Sequence, residues 1–170
     1  MTTNLTAPPP APVLVRGGSL VAWSTEHLPA GAGPATGFRV VGAHTDSPTL
    51  RIKPRPDVSS AGFAQLAVEP YGGLITNSWL DRDLGLAGRV TLRDPQGTDG
   101  VRTELLDVDE ALLRVSRLAI HLDRDVREGE ALNAQRHLVP HWSVSPDAPA
   151  FTTWLAGRLG VAEADVLGWD

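Results

Sequence analysis

The stretch Phe38-Arg39-Val40-Val41-Gly42-Ala43-His44-Thr45-Asp46-Ser47-Pro48 constrains this chain more than any other. Phe38, Val40 and Val41 form an apolar, β-branched run of the kind found inside a sheet, and are predicted as a buried strand. Gly42 and Ala43 carry almost no side chain, so backbone or a ligand can approach closely there. His44 and Asp46 are two residues apart, which on an extended chain turns both side chains to one face. Such a pair suits an imidazole that ligates a metal through one ring nitrogen while an acid fixes its tautomer through the other. The same residues also fit a polar strand end at which Asp46 caps a turn, and on the pair alone that plainer reading is the favoured one.

Composition narrows the function classes. Hydrophobic residues make up 42% of the 170 and charged residues 21%, which is the balance of a folded globular protein. A net charge of −5 argues against nucleic acid or an anionic membrane as the main partner. There are no cysteines, which excludes disulfides, thiolate metal ligands and cysteine nucleophiles. The N-terminus lacks the basic start and apolar core of a signal peptide, and no apolar run reaches membrane-spanning length. A soluble cytoplasmic protein is the expectation. With 17 glycines and 14 prolines between short β-like runs, the body should be strand-rich.

Residues 1–12 are polar and proline-rich and are expected to form a disordered arm. Val13–Arg16 and Ser19–Trp23 flank Gly17-Gly18, a signal for a tight hairpin with a primed turn. Leu28 to Thr36 reads as a loop. Thr49–Pro54 alternates apolar and polar residues, with Arg55–Ser60 as a link. Gly62–Glu69 is a further strand that places Ala64, Leu66 and Val68 on one face, and Tyr71-Gly72-Gly73 bends the chain. Arg89–Arg93 and Val101–Leu105 pair through the turn Asp94-Pro95-Gln96-Gly97. Asp147 to Gly160 predicts a helix, with Asp147 as N-cap, Pro149 in the first turn and Gly160 as the stop. Phe151, Trp154, Leu155 and Leu159 form its apolar stripe, expected to lack a complete sheet to cover. Val166–Asp170 resembles the opening of an unpaired strand.

Other candidate sites are weaker. His137 and His141 are four apart, but Leu138-Val139-Pro140 between them argues for extended chain rather than one helical face. His27 is expected at the surface. No serine lies in a Gly-x-Ser-x-Gly elbow. The five tryptophans read as core or interface anchors.

Four motifs, GAHTDSPTLRIKP, VEPYGGLITNSWLDRDLGLAGRV, LLRVSRLAIHLDR and LNAQRHLVP, follow one another in an order and spacing that resemble the aspartyl aminopeptidase family of zinc metallopeptidases. The resemblance covers about Val13 to Asp170. It implies an α/β catalytic domain with a mostly parallel sheet, into which a β-rich dimerisation domain is inserted. On that pattern residues 13–50 open the catalytic domain, 51–142 form the inserted domain and 143–170 return to the first. His44 matches a zinc ligand, Asp46 the acid that supports the site, and His121 a histidine presented to a neighbouring subunit's active site. The implied activity is removal of acidic N-terminal residues from peptides, with two zinc ions in the complete site and a homo-oligomeric assembly. The family's bridging Asp, its glutamates and its last His have no counterpart in these residues, so a truncated form, inactive on its own, is expected. The alternative is a non-catalytic dimerisation or assembly module of the same ancestry.

Overall fold

The computed structural model describes residues 12–24, 30–31, 37–129, 131–145 and 147–170. The arm up to residue 11, His27 and most of the loop expected from Leu28 to Thr36 lie outside these residues. The chain divides into two compact units, Met1–Ser47 and Pro48–Asp170.

In the first unit β1 (Val13–Arg16) and β2 (Ser19–Ala22) form an antiparallel hairpin with Arg16 opposite Ser19. Gly17 has φ +57°, and the positive φ is confined to this first turn residue, as a type II′ turn requires. The segment from Gly37 to Pro48 is extended coil, with Phe38 95% and Val41 96% exposed. This corrects the expected buried strand over Phe38–Val41. A strand apolar on both faces needs hydrogen-bonded neighbours and covering layers, and the described part of this unit supplies only a two-stranded hairpin paired with itself.

The second unit is one six-stranded sheet, in the order β3 (Thr49–Ser60), β4 (Phe63–Tyr71), β7 (His141–Ser143), β6 (Val101–Arg114), β5 (Asp83–Arg93) and β8 (Val166–Trp169). Every strand pair in it is antiparallel, which corrects the expected mostly parallel sheet. The reason is local. β3 and β4 are joined by the two residues Ala61-Gly62, and β5 and β6 by residues 94–100. Connections this short return the chain alongside itself, whereas a parallel pair needs a crossover of about a dozen residues or more. β3 also runs on through Arg55–Ser60, which the sequence suggests as a link, with its register irregular between Ile52 and Asp57.

The sheet curls until its edge strands meet. Trp169 Nε1 on β8 donates to Ile52 O on β3 at 3.3 Å, and Arg51 pairs with the Asp170 carboxylate. Inside lies the core of Leu66, Val90, Leu92, Leu113, Phe151 and Leu155. Among the described residues two α-helices accompany the strands: the single turn α1 (Ala134–His137) and α2 (Phe151–Leu159). Gly160 closes α2 in the left-handed conformation at φ +67°, as its sequence suggests. The helix begins three residues later than expected, with Asp57 on β3 rather than Asp147 capturing the first amide: Phe151 N donates to Asp57 Oδ1 at 2.8 Å.

The apolar stripe of α2 is buried rather than exposed. Phe151 and Leu155 are 2% and 1% accessible, and Trp154 and Leu159 pack against the same core. Trp142, Phe151, Trp154 and Trp169 form a ring-on-ring cluster with centroids 5.1 to 6.1 Å apart. β8 is likewise paired, with Val90, Thr91 and Leu92 of β5. Residues 143–170 thus complete the antiparallel unit.

Candidate metal-ligand site

His44, Thr45 and Asp46 lie in the segment of the first unit that forms no strand, helix or turn. His44 Nδ1 lies 2.7 Å from the backbone O of Asp46 and 3.1 Å from its Oδ1. A backbone carbonyl only accepts, so Nδ1 carries the ring proton and donates to both oxygens. The neutral ring then offers its lone pair at Nε2, the nitrogen pointing away from the acid. An imidazole held this way by a carboxylate is prepared to bind a metal. The pairing expected from the two-residue spacing is therefore present, in a segment that forms no regular strand.

Thr45, between them, donates from Oγ1 to Gly18 O at 2.5 Å and ties this segment to the β1–β2 hairpin. Sequence reasoning passed over this residue. Its one signal is a hydroxyl flanked by an imidazole and a carboxylate.

His121 belongs to the second unit. It lies on an exposed turn closed by Leu122 N and Asp123 N donating to Ala119 O at 2.8 and 3.2 Å. Leu118 and Leu122 beside it are also exposed. His137 and His141 do not share a helical face: His137 ends α1, where Nδ1 accepts from Asn133 N at 3.1 Å, and His141 lies on β7. His141 Nδ1 is 3.3 Å from Ser116 Oγ, and its ring packs on Phe63.

The second unit also holds a cavity of about 420 Å³, lined by Leu50, Ile52, Leu84 and Leu86 with Arg82 and Asp83. None of His44, Asp46 and His121 lines it.

Zinc fits His44 by donor chemistry but not by number. A catalytic zinc takes at least three protein ligands, and no group of three or more His, Cys, Asp or Glu residues is placed to hold a metal among the described residues. No helix among them is long and apolar enough to cross a membrane.

Comparison with known proteins decides the family. The profile of the Aminopeptidase I zinc metalloprotease (M18) family matches residues 13–162. This chain belongs to that family. A probable M18 family aminopeptidase 2 of Streptomyces avermitilis is 52% identical over 160 residues, which are 92% of this chain and 35% of the relative. The corresponding Mycobacterium tuberculosis protein is 50% identical over 153 residues, 90% of this chain and 34% of the relative. The M18 chain described here thus spans about a third of the length of these relatives. Among solved structures, that of the Ape4 and Nbr1 complex aligns at TM-score 0.66 and 33% identity, over 74% of this chain and 27% of the other. The structure of the Saccharomyces cerevisiae mApe1 dodecamer aligns at TM-score 0.51 and 25% identity, over 71% of this chain and 27% of the other.

Proposed function

We propose that this chain is part of a zinc aminopeptidase that removes acidic N-terminal residues from peptides. The observation that carries the reading is the His44–Asp46 geometry within residues 13–162, which the M18 profile matches. His44 binds zinc through Nε2. Asp46 keeps Nδ1 protonated and the ring oriented. His121, on its exposed turn, contacts the substrate at the active site of a neighbouring subunit, where an imidazole can stabilise charge on the attacked carbonyl. Zinc in such hydrolases supplies Lewis acidity to the scissile carbonyl and to the attacking water. The rest of a two-zinc site, with its general base, comes from groups this chain does not hold, so the chain alone with zinc gives no turnover. Residues 13–50 are the opening of the catalytic domain on this reading, and the β-rich body from about residue 51 is the assembly domain. A cytoplasmic location goes with it.

A chimera provides the test. This chain replaces the matched 160 residues of the Streptomyces avermitilis relative, and the product is assayed with zinc on Asp-, Glu- and Leu-p-nitroanilides. The Asp and Glu substrates should turn over fastest, and His44→Ala should abolish the reaction. Equal rates on Leu would reject the acidic preference, and an active His44→Ala chimera would reject the ligand.

A second reading, a non-catalytic assembly module, draws on the second unit having its own core and both sheet edges closed on each other. Self-association is common to both readings, and a solved relative is described as a dodecamer. Sedimentation of the purified chain should show a dimer or larger species; a monomer at all concentrations would remove the homo-oligomer from either.

A further inference from the structure

We propose that Thr45 is the positioning residue of the His44 site: its hydroxyl ties the His44-Thr45-Asp46 segment to the β1–β2 hairpin and so holds the imidazole in its Nδ1–H form. The inference rests on the assignment of His44 as a ligand through Nε2.

The geometry supports it in three steps. First, the His44 ring bonds to both the backbone and the carboxylate of Asp46, so Thr45 is the residue that links the two groups along the chain. Anchoring it restrains both neighbours at once. Second, the anchor is an acceptor with no competing ladder partner. Gly18 is the second of two turn residues beyond the last β1–β2 pair, Arg16 with Ser19, and its carbonyl accepts the Thr45 hydroxyl. The partners are 27 residues apart in sequence, so the bond restrains the segment in space and not merely along the chain. Third, residues 37–48 form no strand or helix, and His44 and Asp46 are both exposed, so water competes for the bonds between them. An imidazole free in water prefers the Nε2–H tautomer, which blocks the nitrogen a metal would use. Holding the ring against Asp46 reverses that preference, and Thr45 restrains the backbone on which the contact depends.

The experiment uses the full chain, ¹⁵N-labelled, with long-range ¹H–¹⁵N spectra of the imidazoles recorded at a pH where the rings are neutral. His44→Gln assigns the His44 signals. The wild-type chain should show His44 mainly as Nδ1–H. Thr45→Val, of similar volume but without the hydroxyl, should turn it mainly to Nε2–H, and Thr45→Ser should restore Nδ1–H. The Trp169 indole signal, in the other unit, should be unchanged in all three. If wild-type His44 is already Nε2–H, the ligand assignment and this inference fail together. If wild-type His44 is Nδ1–H and Thr45→Val leaves it so, the ligand assignment stands and Thr45 has no positioning role. Failure of Thr45→Ser to restore the tautomer also overturns the inference, because the hydroxyl is then not what acts.

Discussion

Phe151 N donates to Asp57 Oδ1 at 2.8 Å, so a carboxylate on β3 caps a helix that begins 94 residues later. The helix has no side-chain cap of its own, since Ala150 occupies the N-cap position. Asp57 satisfies an amide that would otherwise lack a partner and places negative charge at the positive end of the helix dipole. Asp57→Ala should therefore lower stability by about 1 kcal/mol, the usual cost of losing an N-cap. Asp57→Asn should keep most of that, because its amide oxygen still accepts. Urea unfolding of the three proteins measures the difference. Equal losses for Ala and Asn would place the effect in charge alone.

The β3–β4 turn contains a residue ill-suited to it. Ser60 pairs with Phe63 across Ala61-Gly62, whose φ values are +50° and +84°. Both turn residues are left-handed, as in a type I′ turn, where Asn-Gly is favoured. Alanine in that conformation costs about 1–2 kcal/mol, which asparagine largely avoids. Ala61→Asn should raise Tm without altering the spectrum of the sheet. A lower Tm would show that the strain is not present in solution.

Glu69 gives a pH signature. Gln135 Nε2 donates to its Oε1 at 2.9 Å and Lys53 Nζ lies 3.2 Å from its Oε2. The Gln135 hydrogen bond, followed by those from the Lys53 ammonium, holds the carboxyl below the usual Glu range against a small opposing effect of burial. A folded pKa below the unfolded one stabilises the protein above the unfolded pKa, and that stability is lost as pH falls through the folded value. Gln135→Ala should move the Glu69 midpoint upward in a carboxyl ¹³C titration and shrink the acid-side loss, which is then complete at a higher pH. An unmoved midpoint would mean the amide does not set it.

How much of this could be read from sequence depends on how far apart the partners are. The β1–β2 hairpin, the strand carrying Leu66 and Val68, and the Gly160 stop were legible because each depends on residues within a few positions of one another. The His44–Asp46 pair was legible for the same reason. Asp57 as a cap was not, because nothing near either residue announces the other. The late start of α2 follows from that omission. Phe38–Val41 shows the opposite failure: the run has strand composition, but pairing requires neighbours, and composition does not reveal whether they are present. The antiparallel order could have been taken from the two-residue Ala61-Gly62 link. The family's overall pattern pointed instead to a parallel sheet.

The seam between β5 and β8 depends on close approach at Gly88. Arg89 N donates to Asp170 O at 2.8 Å and Asp170 N to Arg89 O at 2.9 Å, which draws the two backbones together. A Cβ on Gly88 would lie 2.6 Å from Asp170 O, an overlap that only backbone movement can relieve. Arg51 and Arg89 both bond the Asp170 carboxylate, and Trp169 reaches Ile52, so moving Asp170 loosens the closure of the whole sheet. Gly88→Ala should cost about 1–3 kcal/mol, the range for forcing extra volume into a packed site. Trp169 should lose its hydrogen bond and its contact with Phe151, shifting the protein's tryptophan emission to the red. Gly168→Ala on β8 is the control, since a Cβ there meets nothing within 4 Å. It should leave both stability and emission nearly unchanged, and matched effects at the two glycines would mean that strand preference, not the seam, governs the response.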